Sequence, residues 1–390
     1  MEKQARFAVA LSAMAIALTL AVSDSHARDT AASVGSVSFD GAEAFLALQE
    51  NQAHPRVNVD LGDDTPRVFI VDTGAAVNVI DSRIAADQGY EVVGETGIGA
   101  PGGPQVPASI VKVPLFRVGE VTIRDAEFVT MDVLGFSGGS THGVLGVGLF
   151  ADFLVTFDRG AGHIRLSREA LSADEPGVLG YDAANSQIGI DIRVAGTPLQ
   201  AHIDTGSVGD FMLPGKLMQS LPLQQVQATT SARLVGGERD IQFAQLQGNI
   251  EFAGLQFENP GIAFMTPAPD AGNIGSGILA NYLLVIDQGR HLIAFREPAA
   301  MAAVVADARP RRLGVQFQGM PGAATMRIAR VMPGSLAEQA GLRADDVLVM
   351  INNKPMGEYD MAAMGSLFAS DAALDLEIER DGQRQTISIP

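Results

Sequence analysis

The chain has 390 residues, 47% of them apolar, enough for two or three domains each with its own core. A net charge of −18, with 6% aromatic residues and no Trp, argues against nucleic acid and against anionic membrane as partners. The absence of cysteine excludes disulfides and thiol nucleophiles.

Residues 1–7 carry Lys3 and Arg6, residues 8–22 are an uninterrupted weakly apolar run, and Ser25-His26-Ala27 puts small residues where a signal peptidase reads. The run is shorter than the roughly 20 residues of a spanning helix. Residues 1–27 are therefore expected to be a cleaved signal peptide on an exported, periplasmic protein with no stable membrane insertion. No cysteine follows the run, so lipoprotein attachment is excluded.

The next part of the chain is organised by a repeat. Val57-Asn58-Val59-Asp60-Leu61 alternates, turns at Gly62-Asp63-Asp64 and continues through Val68-Phe69-Ile70-Val71 into Asp72-Thr73-Gly74-Ala75. Ile188, Ile190, Ile192 and Val194 alternate in turn, Ala195-Gly196-Thr197 makes a turn, and residues 199–203 run into Asp204-Thr205-Gly206-Ser207. Both stretches have the period-2 pattern of hairpins. The ends of the two units match as well: residues 146–158 align without a gap on residues 275–287. The offset is 129 residues there and 132 at the aspartates, as a duplicated fold predicts. Each unit is strand-rich, with helical character confined to short stretches such as 279–284. Two β lobes are expected, over residues 36–170 and 178–297.

Each Asp-Thr-Gly ends an apolar strand at the same place in its unit, so a pseudo-twofold axis would bring Asp72 and Asp204 face to face. Two adjacent carboxyls cannot both ionise cheaply, so they share a proton, and one acts as base while the other acts as acid. Water held between them can be deprotonated as it attacks a peptide carbonyl. Gly74 and Gly206 allow tight turns, while Thr73 and Thr205 can brace the two loops against each other. Ser207 stands where the first unit has Ala75. Its hydroxyl is expected to favour ionisation of Asp204, leaving the shared proton on Asp72.

With these motifs the chain resembles the aspartic peptidases, as a single-chain protein with two retropepsin-like halves, over residues 50–297. The resemblance includes the apolar-apolar-Gly element late in each lobe, Val144-Leu145-Gly146 and Asn273-Ile274-Gly275, where Asn273 departs from the pattern. It implies a metal-free, cofactor-free endopeptidase with Asp72 and Asp204 as catalytic residues and Thr73, Gly74, Thr205, Gly206 and Ser207 supporting the loops. It also implies β-hairpin flaps, at Gly99 and Gly102 in the first lobe and at Gly236 and Gly237 in the second. The alternative is a peptide-binding adaptor whose lobes no longer cleave.

Gly135-Phe136-Ser137-Gly138-Gly139 has the spacing of a nucleophile elbow without the strand before it and the helix after it, and is read as a loop. The histidines show no metal-ligand spacing.

Residues 298–311 form a linker with Arg309 and Arg311. Beyond it, residues 331–352 resemble the core of PDZ domains such as those of periplasmic heat-shock serine proteases. They give a strand, a short helix ended by Gly341, and a strand entered through Asp345-Asp346, followed by a hairpin turning at Asp381-Gly382. An α+β PDZ domain over 312–390 is implied. Its carboxylate loop would be Leu313-Gly314-Val315 and its facing helix residues 361–369, with a protein C-terminus as ligand and a polypeptide as the substrate of the whole. The fold class expected is mainly β, bilobal, followed by this α+β module.

Overall fold

The computed structural model describes residues 35–49, 54–63, 65–99, 104–137, 139–183, 187–235, 237–266, 270–297, 313, 315–318, 325–331, 336–359, 367, 373–380 and 382–389. The expected signal peptide and the linker at 298–311 lie outside them. The chain divides into two compact units on either side of residue 300.

The larger unit is built from three sheets. In the first, strands follow the order Arg56–Val59, Arg67–Asp72, Gly143–Gly146, Asn78–Asp81, Val121–Met131, Val106–Val118, Glu91–Ile98, with Ser36–Ser38 also on Val121–Met131. The second repeats that order with Gly189–Val194, Thr197–Asp204, Gly272–Gly275, Phe211–Pro214, Gly261–Thr266, Gly237–Leu246, Leu223–Leu234. It adds the hairpin Asn249–Phe252 and Leu255–Glu258 beyond Gly189–Val194. Alternation produces the hairpins: Ile190, Ile192 and Val194 face the core while Asp191 and Arg193 face out. Ala195 and Gly196, both at positive φ, turn the strand back on itself.

A third sheet joins the halves, ordered Val178–Gly180, Leu292–Arg296, Leu283–Asp287, Leu154–Asp158, His163–Ser167, Glu43–Ala47. At its centre Leu154–Asp158 pairs antiparallel with Leu283–Asp287, and Thr156 lies opposite Val285. These two residues are also equivalent in the gapless alignment of the repeats, so the pseudo-twofold axis passes between them. The core beneath the sheets is continuous across both halves and includes Phe69, Phe128, Ile164, Phe264 and Ile286.

Helical structure near 279–284 is shorter than the sequence pattern predicts. The helix is Ser276–Leu279, and Leu283 already belongs to the central strand. The run Leu283-Leu284-Val285-Ile286 is held between cross-strand neighbours, and this tertiary pairing overrides local helical periodicity.

The smaller unit is one sheet, ordered Val315–Gln318, Met326–Val331, Val347–Ile351, Leu374–Arg380, Gln383–Ile389, with the short helix Leu336–Gln339. Leu313, Ile328, Ala337, Leu348, Leu376 and Ile378 belong to its core. Gly341 ends the helix at a φ of +87°, the left-handed conformation that glycine adopts without strain.

Candidate active site

Asp72 and Asp204 each end a strand that pairs in parallel with the glycine-ending strand of its own half. Asp72 lies opposite Gly146 and Asp204 opposite Gly275. The loops after the aspartates lock together reciprocally. Thr73 Oγ1 donates to the Ile203 carbonyl at 2.6 Å, and Thr205 Oγ1 donates to the Val71 carbonyl at 2.8 Å. Each hydroxyl also accepts from the other threonine's backbone amide, at 3.1 and 3.0 Å. Four buried bonds related by the twofold axis therefore hold the aspartates at one height, and each threonine is used as both donor and acceptor.

The carboxyls face each other across the axis. A Cβ added at Gly74 would lie 2.8 Å from the Asp204 carboxyl, and one at Gly206 would lie 2.3 Å from that of Asp72. Each glycine is thus the floor on which the opposite carboxyl rests, and a side chain there would push the pair apart. Asp72 Oδ1 accepts from the amides of Gly74 at 2.7 Å and Gly206 at 3.2 Å. Asp204 Oδ2 accepts from the side-chain amide of Asn273. The other two oxygens, Asp72 Oδ2 and Asp204 Oδ1, are buried without a protein donor.

Burial at 0% and 1% exposure pushes both carboxyls upward from their ordinary range. Asp72 is raised further by the charge on Asp204 and lies well above that range. For Asp204, Asn273, the Asp72 carboxyl and the amides of Gly206 and Ser207 oppose the rise. Both carboxyls therefore lie above their ordinary range, and of the two only Asp204 receives a side-chain amide. What Ser207 supplies is its backbone amide, and the side-chain donor is Asn273, 69 residues further along the chain than Asp204. The break in the apolar-apolar-Gly element is the sequence signal for it.

A further layer lies behind the loops. The Val71 amide bonds the Pro55 carbonyl, and the Ile203 amide bonds that of Ile188. His54 and Gln187 are therefore equivalent positions. Gln187 Nε2 donates to the Gly74 carbonyl at 3.3 Å, while the His54 ring lies against the Gly206 backbone with its Nε2 buried and without a protein partner. His54 is lowered to about 4 by burial and by the nearby guanidinium of Arg56. Neither residue is conspicuous in the sequence, because their roles depend on contacts across the axis.

Gly99 follows the strand Glu91–Ile98, which pairs with Val106–Val118 and closes at Ile98 opposite Val106. Gly237 lies at the tip of the hairpin Leu223–Leu234 and Gly237–Leu246, opposite Leu234. Gly102 and Gly236 fall outside the described residues. Val235, at the second tip, is buried in a cluster of first-half residues that contains Ile98, Ala75, Ile70 and Val144. Both hairpins thus reach the apolar patch beside Asp72.

Ser137 caps the helix Val133–Phe136, and its hydroxyl both donates to and accepts from the Thr141 backbone at 3.0 Å. The helix precedes the serine, and the serine's hydrogen bonds serve the turn. Among the described residues no group of three or more His, Asp or Glu side chains is placed to hold a metal ion.

In the smaller unit Leu313 is buried, and its carbonyl accepts from the Ala337 amide at 3.0 Å. Val315 begins the edge strand, while Gly314 and all of the segment 361–369 except Leu367 lie outside the described residues.

Residues 57–149, which carry Asp72, match the family model described as aspartyl protease, and residues 327–380 match that of the PDZ domain. The chain thus has an aspartyl-protease-family domain in its N-terminal part and a PDZ domain at its C-terminal end. A protein named probable serine protease do-like, of Buchnera aphidicola subsp. Acyrthosiphon pisum (strain APS), is 26% identical over 137 residues. That match covers 35% of this chain and 28% of the relative's own length. No described helix is long and apolar enough to cross a membrane.

Proposed function

We propose that the chain is an aspartic endopeptidase that hydrolyses peptide bonds of exported polypeptides at the Asp72/Asp204 pair. The observation that carries this is the pair itself: two fully buried carboxyls resting on each other's glycine floors and locked by reciprocal threonine bonds. Asp204, ionised, takes a proton from a water molecule as its oxygen attacks the peptide carbonyl carbon. Asp72 gives its proton to the carbonyl oxygen, and a tetrahedral diol results. Collapse of the diol breaks the C–N bond as Asp204 passes its proton to the nitrogen and Asp72 takes one from a diol hydroxyl, and the pair returns to its starting state. The two hairpins that meet beside Ala75 cover the bound peptide and exclude water. The PDZ domain adds a polypeptide strand at the Val315–Gln318 edge and brings substrate or a partner C-terminus to the enzyme. The N-terminal signal directs the chain to the periplasm.

Digestion of an unfolded protein substrate from acid to neutral pH tests this. The unmutated chain should cleave, while Asp72→Asn and Asp204→Asn each lose about 10²–10⁴-fold, the range that general acid–base groups contribute. Cleavage that survives both substitutions, or none by the unmutated chain at any pH, overturns it.

A further inference from the structure

The duplication makes every residue of one half answerable to a twin. Because Asp72 lies opposite Gly146 and Asp204 opposite Gly275, the register sets Ile70 beside Val144 in the first half and His202 beside Asn273 in the second. Asn273 is therefore the twin of Val144. Val144 is fully buried in the apolar patch beside Asp72, whereas Asn273 is half-buried and its amide nitrogen bonds Asp204 Oδ2. A primary amide at an apolar position of the fold carries a desolvation cost that only a hydrogen bond offsets. A neutral donor bound to a carboxylate is the strong form of that bond.

The two carboxyls thus differ in what holds them. Asp72 receives backbone amides from both glycines on one oxygen. Asp204 has a side-chain donor that its twin has no counterpart for. Resting on the aspartic-peptidase reading, we infer that Asn273 is the positioning residue that keeps the negative charge on Asp204, making Asp204 the base and Asp72 the acid.

Other titratable groups stand nearby. His202, in register with Asn273, is lowered by burial, against the pull of Asp182. His54 faces Gly206 from the opposite half, with Arg56 and Arg159 acting on it. None of them is the partner of Asp204 Oδ2, so replacing Asn273 leaves these groups in place.

Asn273→Val installs the twin's residue and removes the donor. The acid limb of the kcat/KM profile on a peptide substrate should move up by about 1–2 pH units, the worth of a hydrogen bond to a charged group. KM should stay near that of the unmutated chain. Asn273→Asp keeps the shape and, when ionised, removes the donor, so the limb should move the same way. It serves if the valine variant does not fold. Val144→Asn supplies the missing donor beside Asp72 and should narrow the difference between the carboxyls. Aspartate carboxyl ¹³C titration by NMR reads the same order of protonation without requiring turnover. Asp204 should ionise at lower pH than Asp72 in the unmutated chain, and the lower of the two steps should rise in Asn273→Val. Unchanged profiles and unchanged carboxyl titrations in foldable variants overturn the role of Asn273, even if only thermal stability falls. If the unmutated chain cleaves and Asp204→Asn does not, that failure leaves the peptidase reading standing. If nothing cleaves, the titration still decides the role of Asn273.

Discussion

His54 and Gln187 are twins, and each meets the glycine of the other half's Asp-Thr-Gly loop, Gln187 donating to the Gly74 carbonyl and His54 lying against the Gly206 backbone. One brace is neutral at every pH and the other is not. This is the second point, with Asn273, where the duplicated frame is kept and its chemistry is not.

The consequence is a stability that depends on pH. His54 falls from an ordinary 6.5 to about 4 in the folded chain, so the unfolded chain binds this proton more readily between those values. Stability is fully present above about pH 6.5 and declines as pH falls toward 4, by ~3 kcal/mol for one such group. His54→Gln, which copies the twin, should remove that part of the acid-side loss and leave stability at pH 7 nearly unchanged. Denaturant midpoints at pH 7 and pH 4 check it, and parallel behaviour of the two proteins would count against it.

The aspartate pair acts in the other direction. Asp72 is raised in the folded chain, so its contribution is fully present below the ordinary carboxyl range and is lost as pH rises through its folded value. Asp72→Asn removes a buried like-charge neighbour of Asp204 and nearly preserves shape. It should cut cleavage by the same about 10²–10⁴-fold and raise the melting temperature at pH 7 to 8, by about 2–4 °C for each kcal/mol released in a unit of this size. The gain should vanish near pH 3, where the unmutated pair is neutral. A variant no more stable than the unmutated chain at pH 8 would show that the pair is not strained.

Much of this is legible in the sequence, for a physical reason. Asp72 and Asp204 end strands with period-2 patterns in two copies of one unit, and duplication converts sequence position into spatial relation. The matching order of strands around the two aspartates has the same origin. The features that escape depend on contacts that no local pattern encodes. Asn273 registers only as a break in an apolar element, because its partner is brought alongside by parallel pairing of Gly272–Gly275 with Thr197–Asp204. His54 has no metal-ligand spacing to single it out, and nothing in its neighbourhood points across the axis to Gly206. The stretch 279–284 suits a helix until Leu154–Asp158 pairs with the strand that begins at Leu283.

The second-half hairpin offers a separate test. Val235 is buried among Ile98, Ala75 and Val144, so the tip is held by apolar contact. Val235→Asp would bury a carboxylate without a partner, and the hairpin should instead lift off the patch. Hydrogen exchange over 223–246 should accelerate, and KM for a peptide should rise more than kcat falls. Exchange that stays as slow as in the unmutated chain would mean that the hairpin is held by something other than its tip.

The PDZ unit depends on one buried charge. Asp346 is 1% exposed and receives Arg380 through both carboxyl oxygens, at 2.6 and 2.7 Å, with the Arg343 amide on Oδ2 at 2.8 Å. This ties the turn that enters Val347–Ile351 to the end of Leu374–Arg380, and Arg380 also reaches the Gly341 carbonyl beyond the helix. Removing one member of such a pair strands the other, at a cost of about 3–5 kcal/mol. Arg380→Met should therefore destabilise this unit selectively, seen in the full chain as faster hydrogen exchange at residues 347–351 and 374–389 while residues 56–72 keep theirs. Adding Asp346→Asn should recover a large part of the loss, because it removes the uncompensated charge. If the double variant is as unstable as the single one, the effect comes from lost packing of the arginine stem and the pair contributes little through its charge.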